Sequence, residues 1–473
     1  MYRSIYVPLD NSAHSLRGAE MAIAHARHTG AQLTGSHVYA AKLHDRRFRQ
    51  MEAGLPEPYL REEKLVEQRD IHDDLITRGL QLISDSYLDV FERMCADAGL
   101  GCARVALEGK NWQGLVEDIG AGDYDLVVMG ALGLGAVECS QLGSVCERVA
   151  RRIDRDLVVV RDANGGGDGP IAVALDGSPR SYGGLKTALG LARLYGRPVE
   201  AVAAFDPQFH YVAFNSIAGV LSPQAASVFR FKEQERLHEE IIDSGIARIY
   251  QGHLDVAARV AAEEGVTLTT RLLAGKPLEQ VLRYAREAKP WLLVLGRTGV
   301  HSGDGMDLGS LTENLLRLAP CNLLLSAREW QPAFDTIAET TMSWTVEAEA
   351  RMGRVPEFVQ GLARKAILRF AAERGHTMVT SDVIDACLGS LMPGAGSGAK
   401  CPFTNKRGRE TAPAGEAIRW EADALARLER IGQETVRNHA RLRIEKMARG
   451  LKMPAVTAEL VDAAQQTVAA QLG

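Results

Sequence analysis

The chain has 473 residues, of which 46% are hydrophobic and 24% are charged, and its formal net charge is −5. This balance is typical of packed globular domains and excludes a chain that is disordered throughout. The excess of acidic over basic residues argues against a nucleic-acid-binding protein, and no apolar run approaches the roughly 18 residues that a membrane-spanning helix needs.

The N-terminal segment MYRSIYVPLD reaches an acidic side chain at Asp10 before it has built the apolar core of a signal peptide. Seven cysteines are scattered along the chain without a CxxC pair, which disfavours a disulfide framework and a zinc ribbon. Both features favour a cytoplasmic protein with free thiols and no structural metal site.

One pattern of strands and helices occurs twice in the first two thirds of the chain. Each copy contains five apolar segments separated by helical patterns, with a polar, helix-rich insert at 43–98 or 208–264. Continuous apolar strands that alternate with helices indicate a parallel sheet covered on both faces. The predicted strands are 2–10, 32–39, 103–107, 126–129 and 157–160, and then 170–178, 199–205, 267–273, 292–295 and 322–325.

We therefore predict an α/β fold with two doubly wound domains, each with a five-stranded parallel sheet, over residues 1–161 and 169–327. The segment between them, DANGGGDG, is rich in glycine and polar residues, which is typical of a flexible boundary.

A second, shorter duplication lies beyond residue 330. The segments that begin at Trp344 and Trp420 share alanine and arginine positions, and VTSDVIDA at 379–386 matches VTAELVDA at 456–463. Their Ala, Leu, Arg and Glu content predicts short helices, with Thr380 and Thr457 as N-caps of the last helix. We predict a small all-α region with units at 340–390 and 416–470, joined by a loop rich in glycine, proline and basic residues.

The strongest functional signal follows the fourth strand of each copy, where both copies carry Gly-x2-Gly-x9-Gly-Ser. Glycines let backbone N–H groups approach an anion, and a helix N-terminus favours phosphate through its free N–H groups and its dipole. In open α/β sheets this edge is where ligands bind, so we predict a phosphate site in each copy; the alternative is a structural turn that was duplicated. The residues are Gly130, Gly133, Gly143 and Ser144, and then Gly296, Gly299, Gly309 and Ser310.

Two aspartates form the second element of the predicted site. Asp10 and Asp176 end the first strand of their copies, at the same sheet edge as the glycine loops. A carboxylate there can accept hydrogen bonds from a ribose or from an adenine amino group. The alternative is an Asx turn or a helix cap, and the two roles can coexist.

This combination resembles the universal stress protein family, in tandem, over 1–161 and 169–327. The resemblance implies a fold similar to the adenine nucleotide alpha-hydrolase group and ATP, ADP or AMP as ligand, with or without Mg²⁺. It implies that Asp10 and Asp176 contact the nucleoside, that the glycines and serines hold the phosphates, and that Val38 and the region 202–203 line the adenine pocket. It also suggests a homodimer through the final strands, although two copies in one chain leave a monomer open.

The predicted phosphate loops depart from the family pattern in their charge. Many members have a basic residue in this loop, whereas the first copy has none and holds Glu138. The second copy has Arg297, which we assign to the phosphate site, but also Asp304 and Asp307. Acidic residues near phosphates weaken binding unless Mg²⁺ bridges them or they point to water, so the charges disfavour a triphosphate, most strongly in the first copy.

The segment from Trp344 resembles the C-terminal domain of the light-independent protochlorophyllide reductase B subunit. The tryptophan, the run E-A-x-x-R-x-x-x-V-P-x-F-V and the later V-T-x-x-V carry this resemblance, and the unit from Trp420 is more diverged. The reductase's cluster ligands lie outside this domain, so the resemblance implies no reductase activity. It implies a small module that packs on a protein partner or covers a ligand.

Three other features have a simpler interpretation than a functional one. Cys139 and Cys146 flank the first loop, where a helix N-terminus would stabilise a redox-sensing thiolate, but an inert, buried Cys146 is the favoured interpretation. The basic run at 400–409 is interpreted as a solvated linker, and the arginine-rich segment 437–449 as a solvated face.

No base or nucleophile accompanies the loops, so we expect slow ATP turnover at most. The sequence predicts a cytoplasmic adenine-nucleotide-binding stress or regulatory protein, with two nucleotide domains packed as an internal pseudo-dimer and a protein partner bound through 331–473. Two alternatives stay open. The acidic residues in the loops favour an adaptor with vestigial nucleotide pockets. The resemblance of the helical C-terminal region favours an accessory subunit of a redox or tetrapyrrole enzyme.

Overall fold

The computed structural model describes most of the chain, in two compact units, Met1–Thr341 and Met342–Gly473. The predictions for the linker 162–166, for the insert at 208–242, for Asp304 and for the basic segments at 400–409 and 437–449 lie wholly or largely outside the described residues. The described residues are 1–161, 167–207, 243–300, 302–303, 307–391, 419–429 and 455–462, together with Arg441, Ile444, Ala448 and Met453.

The first unit contains one ten-stranded sheet, in which the strand order is β3-β2-β1-β4-β5-β10-β9-β6-β7-β8. Within each copy all neighbouring strands are parallel, as predicted. The strands are β1 (Ser4–Pro8), β2 (Gln32–Tyr39), β3 (Cys102–Glu108), β4 (Leu126–Gly130), β5 (Asp156–Val160), β6 (Ile171–Ala174), β7 (Val199–Phe205), β8 (Leu268–Ala274), β9 (Leu292–Gly296) and β10 (Asn322–Ser326).

Helices cover both faces of this sheet and enclose two apolar layers, each built from both copies. Ser12 and Ser178 cap the first helix of each copy, because each hydroxyl accepts a hydrogen bond from a first-turn N–H at 3.2 Å. No helix in the described part of the chain is long and apolar enough to cross a membrane. The α-helices are Ala13–Thr29, Ala41–Met51, Glu62–Asp97, Asn111–Ala121, Ser144–Arg152, Pro179–Tyr195, Asp243–Glu263, Pro277–Ala288, Ser310–Leu318 and Phe334–Thr341, with 3₁₀ turns at Glu52–Gly54 and Glu57–Tyr59.

The two copies meet at the antiparallel pair β5–β10, where Val158 lies opposite its equivalent Leu324. Contacts around this point are reciprocal, as in an isologous interface. Arg151 pairs with Glu313, and the equivalent Arg317 pairs with Glu147 at 2.5 Å. The chain therefore contains the internal pseudo-dimer that the sequence predicted.

Two buried polar side chains at equivalent positions of the two copies, Asp156 and Asn322, lie at the same interface. Asp156, which is 7% exposed, accepts hydrogen bonds from the Ala327 N–H at 2.7 Å and from the Tyr2 hydroxyl. Its equivalent, Asn322, accepts the Arg161 N–H at 2.9 Å. Burial raises the pKa of the Asp156 carboxyl, although its hydrogen-bond donors act in the opposite direction. The bonds from Ala327 and Arg161 tie the ends of β5 and β10 to the opposite copy.

The second unit is helical, as predicted, and the repeat is visible in its structure. Thr380 caps its helix by accepting the Val383 N–H at 3.3 Å, and Thr457 accepts the Leu460 N–H at 3.4 Å, which confirms both predicted caps. Each repeat also contains a two-residue parallel strand pair, too short to leave a pattern in the sequence. The elements are helices Val346–Met352, Glu357–Glu373, Ser381–Leu391 and Ala422–Glu429, and strand pairs Ser343–Trp344 with Met378–Val379 and Arg419–Trp420 with Ala455–Val456.

Candidate functional site

Each copy has a cavity at the carboxyl edge of its strands, with a volume of about 430 Å³ in the first copy and 420 Å³ in the second. The structure brings most of the predicted site residues together in these two cavities. In the second copy the side chains alternate along β7, so Val202 and Ala204 line the cavity while Ala203 packs in the apolar layer on the other face. The predicted residues that line the cavities are Asp10, Val38, Gly130, Gly133, Gly143 and Ser144, and then Asp176, Gly296, Gly299, Gly309 and Ser310.

The glycines are needed in these loops because a side chain would not fit there. A left-handed backbone is not the reason, since none of these glycines has a positive φ. A Cβ on Gly130 would lie 2.8 Å from the Ser15 nitrogen, and a Cβ on Gly296 would lie 3.1 Å from the Ser181 nitrogen. The glycine loop therefore rests directly on the first turn of the first helix in both copies.

Asp10 connects the glycine loop of the first copy to the end of β1 by accepting hydrogen bonds with both carboxylate oxygens, and this arrangement is called the aspartate clamp below. Its Oδ1 accepts the Ser12 N–H at 3.0 Å, as in an Asx turn, and its Oδ2 accepts the Leu134 N–H at 3.1 Å. A carboxylate has about four acceptor positions, so this one keeps capacity for a ligand hydroxyl. A Cβ on Gly133 would collide with Oδ2, which explains the glycine there.

Asp176 forms the equivalent aspartate clamp in the second copy, with different hydrogen-bond partners. Asp176 Oδ1 accepts the Ser178 N–H at 3.0 Å and the Ser178 hydroxyl at 2.6 Å, and Oδ2 accepts the Val300 N–H at 2.8 Å. The turn role that the sequence left open is present in both copies, and it leaves room for a contact with ligand.

A helix begins at the floor of each cavity, at Ser144 and at Ser310. Gly143 and Gly309 are the N-cap residues, and no side chain of the described residues is seen to cap either helix. Ser144 is thus the first helical residue rather than the cap, and its first-turn neighbours Val145 and Cys146 also line the cavity. Uncapped N–H groups and the positive end of the helix dipole favour an anion at this point.

Arg297 is not in the phosphate site, which corrects the sequence assignment. It is 3% exposed, and its guanidinium donates to the Ala150 carbonyl in the last turn of the helix Ser144–Arg152. The side chain lies between the copies and does not line the second cavity. In the pseudo-dimer the C-terminus of the helix Ser144–Arg152 lies against this position. The carbonyl groups of its last turn accept hydrogen bonds from a cation.

The acidic loop residues that the structure describes do not face the cavities. Glu138 is exposed and lines neither cavity, and Asp307 pairs with Arg151 at 3.0 Å. Burial acts to raise the pKa of Asp307, but the hydrogen bond and charge of Arg151 and the Leu308 N–H together hold the pKa below its ordinary value. In the described ranges no group of three His, Cys, Asp or Glu side chains is arranged to hold a metal ion.

Sequence reasoning missed the polar side chains that neighbouring elements bring to the cavities. His37 lines the first cavity, and its Nδ1 lies 2.7 Å from the Ser84 hydroxyl; burial lowers the pKa of His37 and keeps the ring neutral near pH 7. Lys276 lines the second cavity from the turn after β8. The Gly-Lys pair in this turn was visible in the sequence, but its distance from the glycine loop along the chain hid its position.

The two cysteines beside the first loop differ in accessibility. Cys146 is buried, and burial raises the pKa of its thiol to about 12, whereas Cys139 is exposed. We expect iodoacetamide at pH 8 to label Cys139 in the folded protein and to reach Cys146 only after unfolding, because the reagent attacks a thiolate. Peptide mapping by mass spectrometry measures this. Rapid labelling of Cys146 in the folded protein would contradict the assignment and would favour a redox-active thiol.

Comparison with protein families gives two matches. The profile of the universal stress protein family matches residues 1–161 and 169–326. The profile described as proto-chlorophyllide reductase 57 kD subunit matches residues 344–387. The first match covers more than half of the chain, and the second lies on the first helical unit.

Individual relatives agree with the first match. A universal stress protein from Methanocaldococcus jannaschii is 26% identical over 155 residues, which are 33% of this chain and 79% of that protein. One from Bacillus subtilis is 26% identical over 153 residues, or 32% of this chain and 95% of that protein.

Solved structures similar to this chain include a universal stress protein from Archaeoglobus fulgidus. It has 15% identity and a TM-score of 0.43, and the alignment covers 68% of this chain and 97% of that one. A universal stress protein solved in complex with cAMP has 23% identity and a TM-score of 0.22, and covers 34% of this chain and 97% of its own.

Proposed function

The chain belongs to the universal stress protein family, and from this premise we propose that it is a cytoplasmic regulatory protein that binds an adenine nucleotide in each copy. One observation carries the proposal: the same cavity is built twice, with a glycine loop clamped by an aspartate in front of an uncapped helix. Such a site offers backbone donors to phosphate without the need for a nearby cation.

The cavity lining suggests how a nucleotide would lie. The phosphates would contact the N–H groups at the start of the helices Ser144–Arg152 and Ser310–Leu318. The ribose would lie near Asp10 or Asp176, and the adenine would lie against Val38 in the first copy or Ala204 in the second. We propose binding with slow turnover at most, because these contacts hold a nucleotide without activating a water.

Equilibrium dialysis with labelled ATP, ADP and AMP, with and without Mg²⁺, tests this proposal. We expect saturable binding that approaches two nucleotides per chain, and competition by unlabelled adenine nucleotide but not by inorganic phosphate at equal concentration. Inorganic phosphate is the control, because it contains the anion without the nucleoside. Absence of saturable binding of all three nucleotides at millimolar concentration would reject the proposal.

We also propose that the helical region 331–473 binds a protein partner. Exposed apolar side chains on the first helical unit support this proposal. Phe358 is 90% exposed and Leu362 is 74% exposed, one turn apart on the helix Glu357–Glu373. Residues four apart lie on one helix face, and contiguous exposed apolar surface is typical of interaction sites.

Paired substitutions on this helix test the partner proposal. We expect Phe358→Ser with Leu362→Ser to abolish co-purification of the partner while nucleotide binding is unchanged. Glu373→Ser, on the same helix, is the control and should keep the partner. An unchanged set of co-purifying proteins in the double variant would contradict the proposal.

A further inference from the structure

Three cationic side chains gather on one tryptophan near the first cavity. Lys110 Nζ lies 5.4 Å from the centre of the Trp112 ring, and the guanidinium carbons of Arg148 and Arg152 lie 5.9 and 4.6 Å from it. Among the residues that the structure describes, no carboxylate forms an ion pair with any of the three. Like charges at this spacing repel, and a bound anion would reduce this repulsion.

Two of these cations lie close in the chain to residues that line the first cavity. Asn111, next to Lys110, lines the cavity, and so does Ser144 at the start of the helix that carries Arg148. Arg148 lies one turn into this helix, about 6 Å along the axis from Ser144, and helical side chains lean toward the N-terminus. The backbone of Arg152 lies about 12 Å along the axis from Ser144, twice as far from the helix start as that of Arg148.

The equivalent positions of the second copy line their cavity, whereas Lys110 and Arg148 lie outside the lining of the first cavity and would meet a ligand only where it extends beyond that lining. The residues of the second copy equivalent to Lys110 and Arg148 are Lys276 and Asn314, and both line the second cavity. Trp112 is replaced there by Leu278, so the second cavity has one cation at these positions and no aromatic ring to hold another.

We propose that Lys110 and Arg148, held by Trp112, form a subsite for the outer phosphates of a nucleotide in the first cavity. This subsite gives the first cavity a stronger preference for a triphosphate over a monophosphate than the second cavity has. The inference rests on the proposed nucleotide binding and extends it to the phosphate chain. It reverses the order of triphosphate preference that the charge of the loops alone predicted, because Glu138 does not line the first cavity and the cations lie outside the loop.

The subsite is tested in full-length protein in which Gly299→Val disables the second cavity. Isothermal titration with ATP and with AMP is compared between this parent and Arg148→Asn, which installs the residue of the second copy. We expect ATP affinity to fall about tenfold, as for the loss of one charged hydrogen bond, and AMP affinity to stay within about twofold. Lys110→Gln, a second variant at an exposed position, should show the same split. Rising salt should lower the ATP preference of the parent.

Arg152→Gln is the matched control, since it removes a cation from the same ring at a greater distance from the cavity. We expect it to leave both affinities unchanged. An unchanged ratio of ATP to AMP affinity in Arg148→Asn and Lys110→Gln, or an equal loss in Arg152→Gln, would overturn the subsite. If the parent binds neither ATP nor AMP, the proposed function has failed, and that outcome differs from binding with an unaltered ratio.

Discussion

Replacing Gly133 or Gly299 by valine should abolish nucleotide binding in the copy that carries the change and spare the other copy. A Cβ at either position would collide with Oδ2 of Asp10 or Asp176 and break the clamp that holds the glycine loop. Loss of a charged hydrogen bond and of the loop position together should weaken binding about a hundredfold. Equilibrium dialysis should give one nucleotide per chain for each single variant and none for the double variant.

Gly303→Val is the matched control for this experiment. It lies in the same loop of the second copy as Gly299, but a Cβ on Gly303 would meet no atom of the described residues within 4 Å. It should bind two nucleotides, like the unchanged chain. A single variant that loses both nucleotides, or neither, would contradict the view that each copy has its own clamped loop.

Replacing Asp156 by leucine should lower the free energy of unfolding of the first unit by about 3 kcal/mol, because the buried Ser326 hydroxyl and two partly buried donors lose their acceptor. The two partly buried donors are the Ala327 N–H and the Tyr2 hydroxyl, both directed at the interface between the copies. Urea unfolding measures this, followed by labelling of Cys146 and Cys321, which are buried in the first unit.

Asp156→Asn is the matched variant, because the equivalent position in the other copy is naturally Asn322. An asparagine keeps one acceptor oxygen, so we expect a cost of about 1 kcal/mol. Equal costs for leucine and asparagine, or no cost for leucine, would show that the buried carboxylate does not stabilise the joined sheet.

The architecture of the first unit could be predicted because buried parallel strands need apolar side chains on both faces. The segments at 126–129 and 292–295 are therefore continuous apolar runs, and each occupies a strand of the sheet. The positions of the loops could be predicted from the spacing of the glycines. The backbone at Gly130 and Gly296 packs closely against the first helix of its copy, so no side chain fits there.

The directions of individual side chains could not be predicted, because they depend on contacts between distant segments. Arg297 looked like a phosphate ligand within its own loop, yet it reaches the Ala150 carbonyl of the other copy. Lys276 lines a cavity whose glycine loop lies in a later part of the chain. Trp112 carried no signal in the sequence, since two of its three cations come from a helix more than thirty residues later in the chain.

Native mass spectrometry of protein purified without added nucleotide tests the central proposal most directly. The intact mass is measured before and after addition of ATP with Mg²⁺, and any ligand is released by denaturation and identified. We expect up to two adenine nucleotides per chain, one for each cavity. A chain that stays empty in the presence of millimolar ATP and Mg²⁺ would contradict nucleotide binding and would leave the helical region as the functional part of the protein.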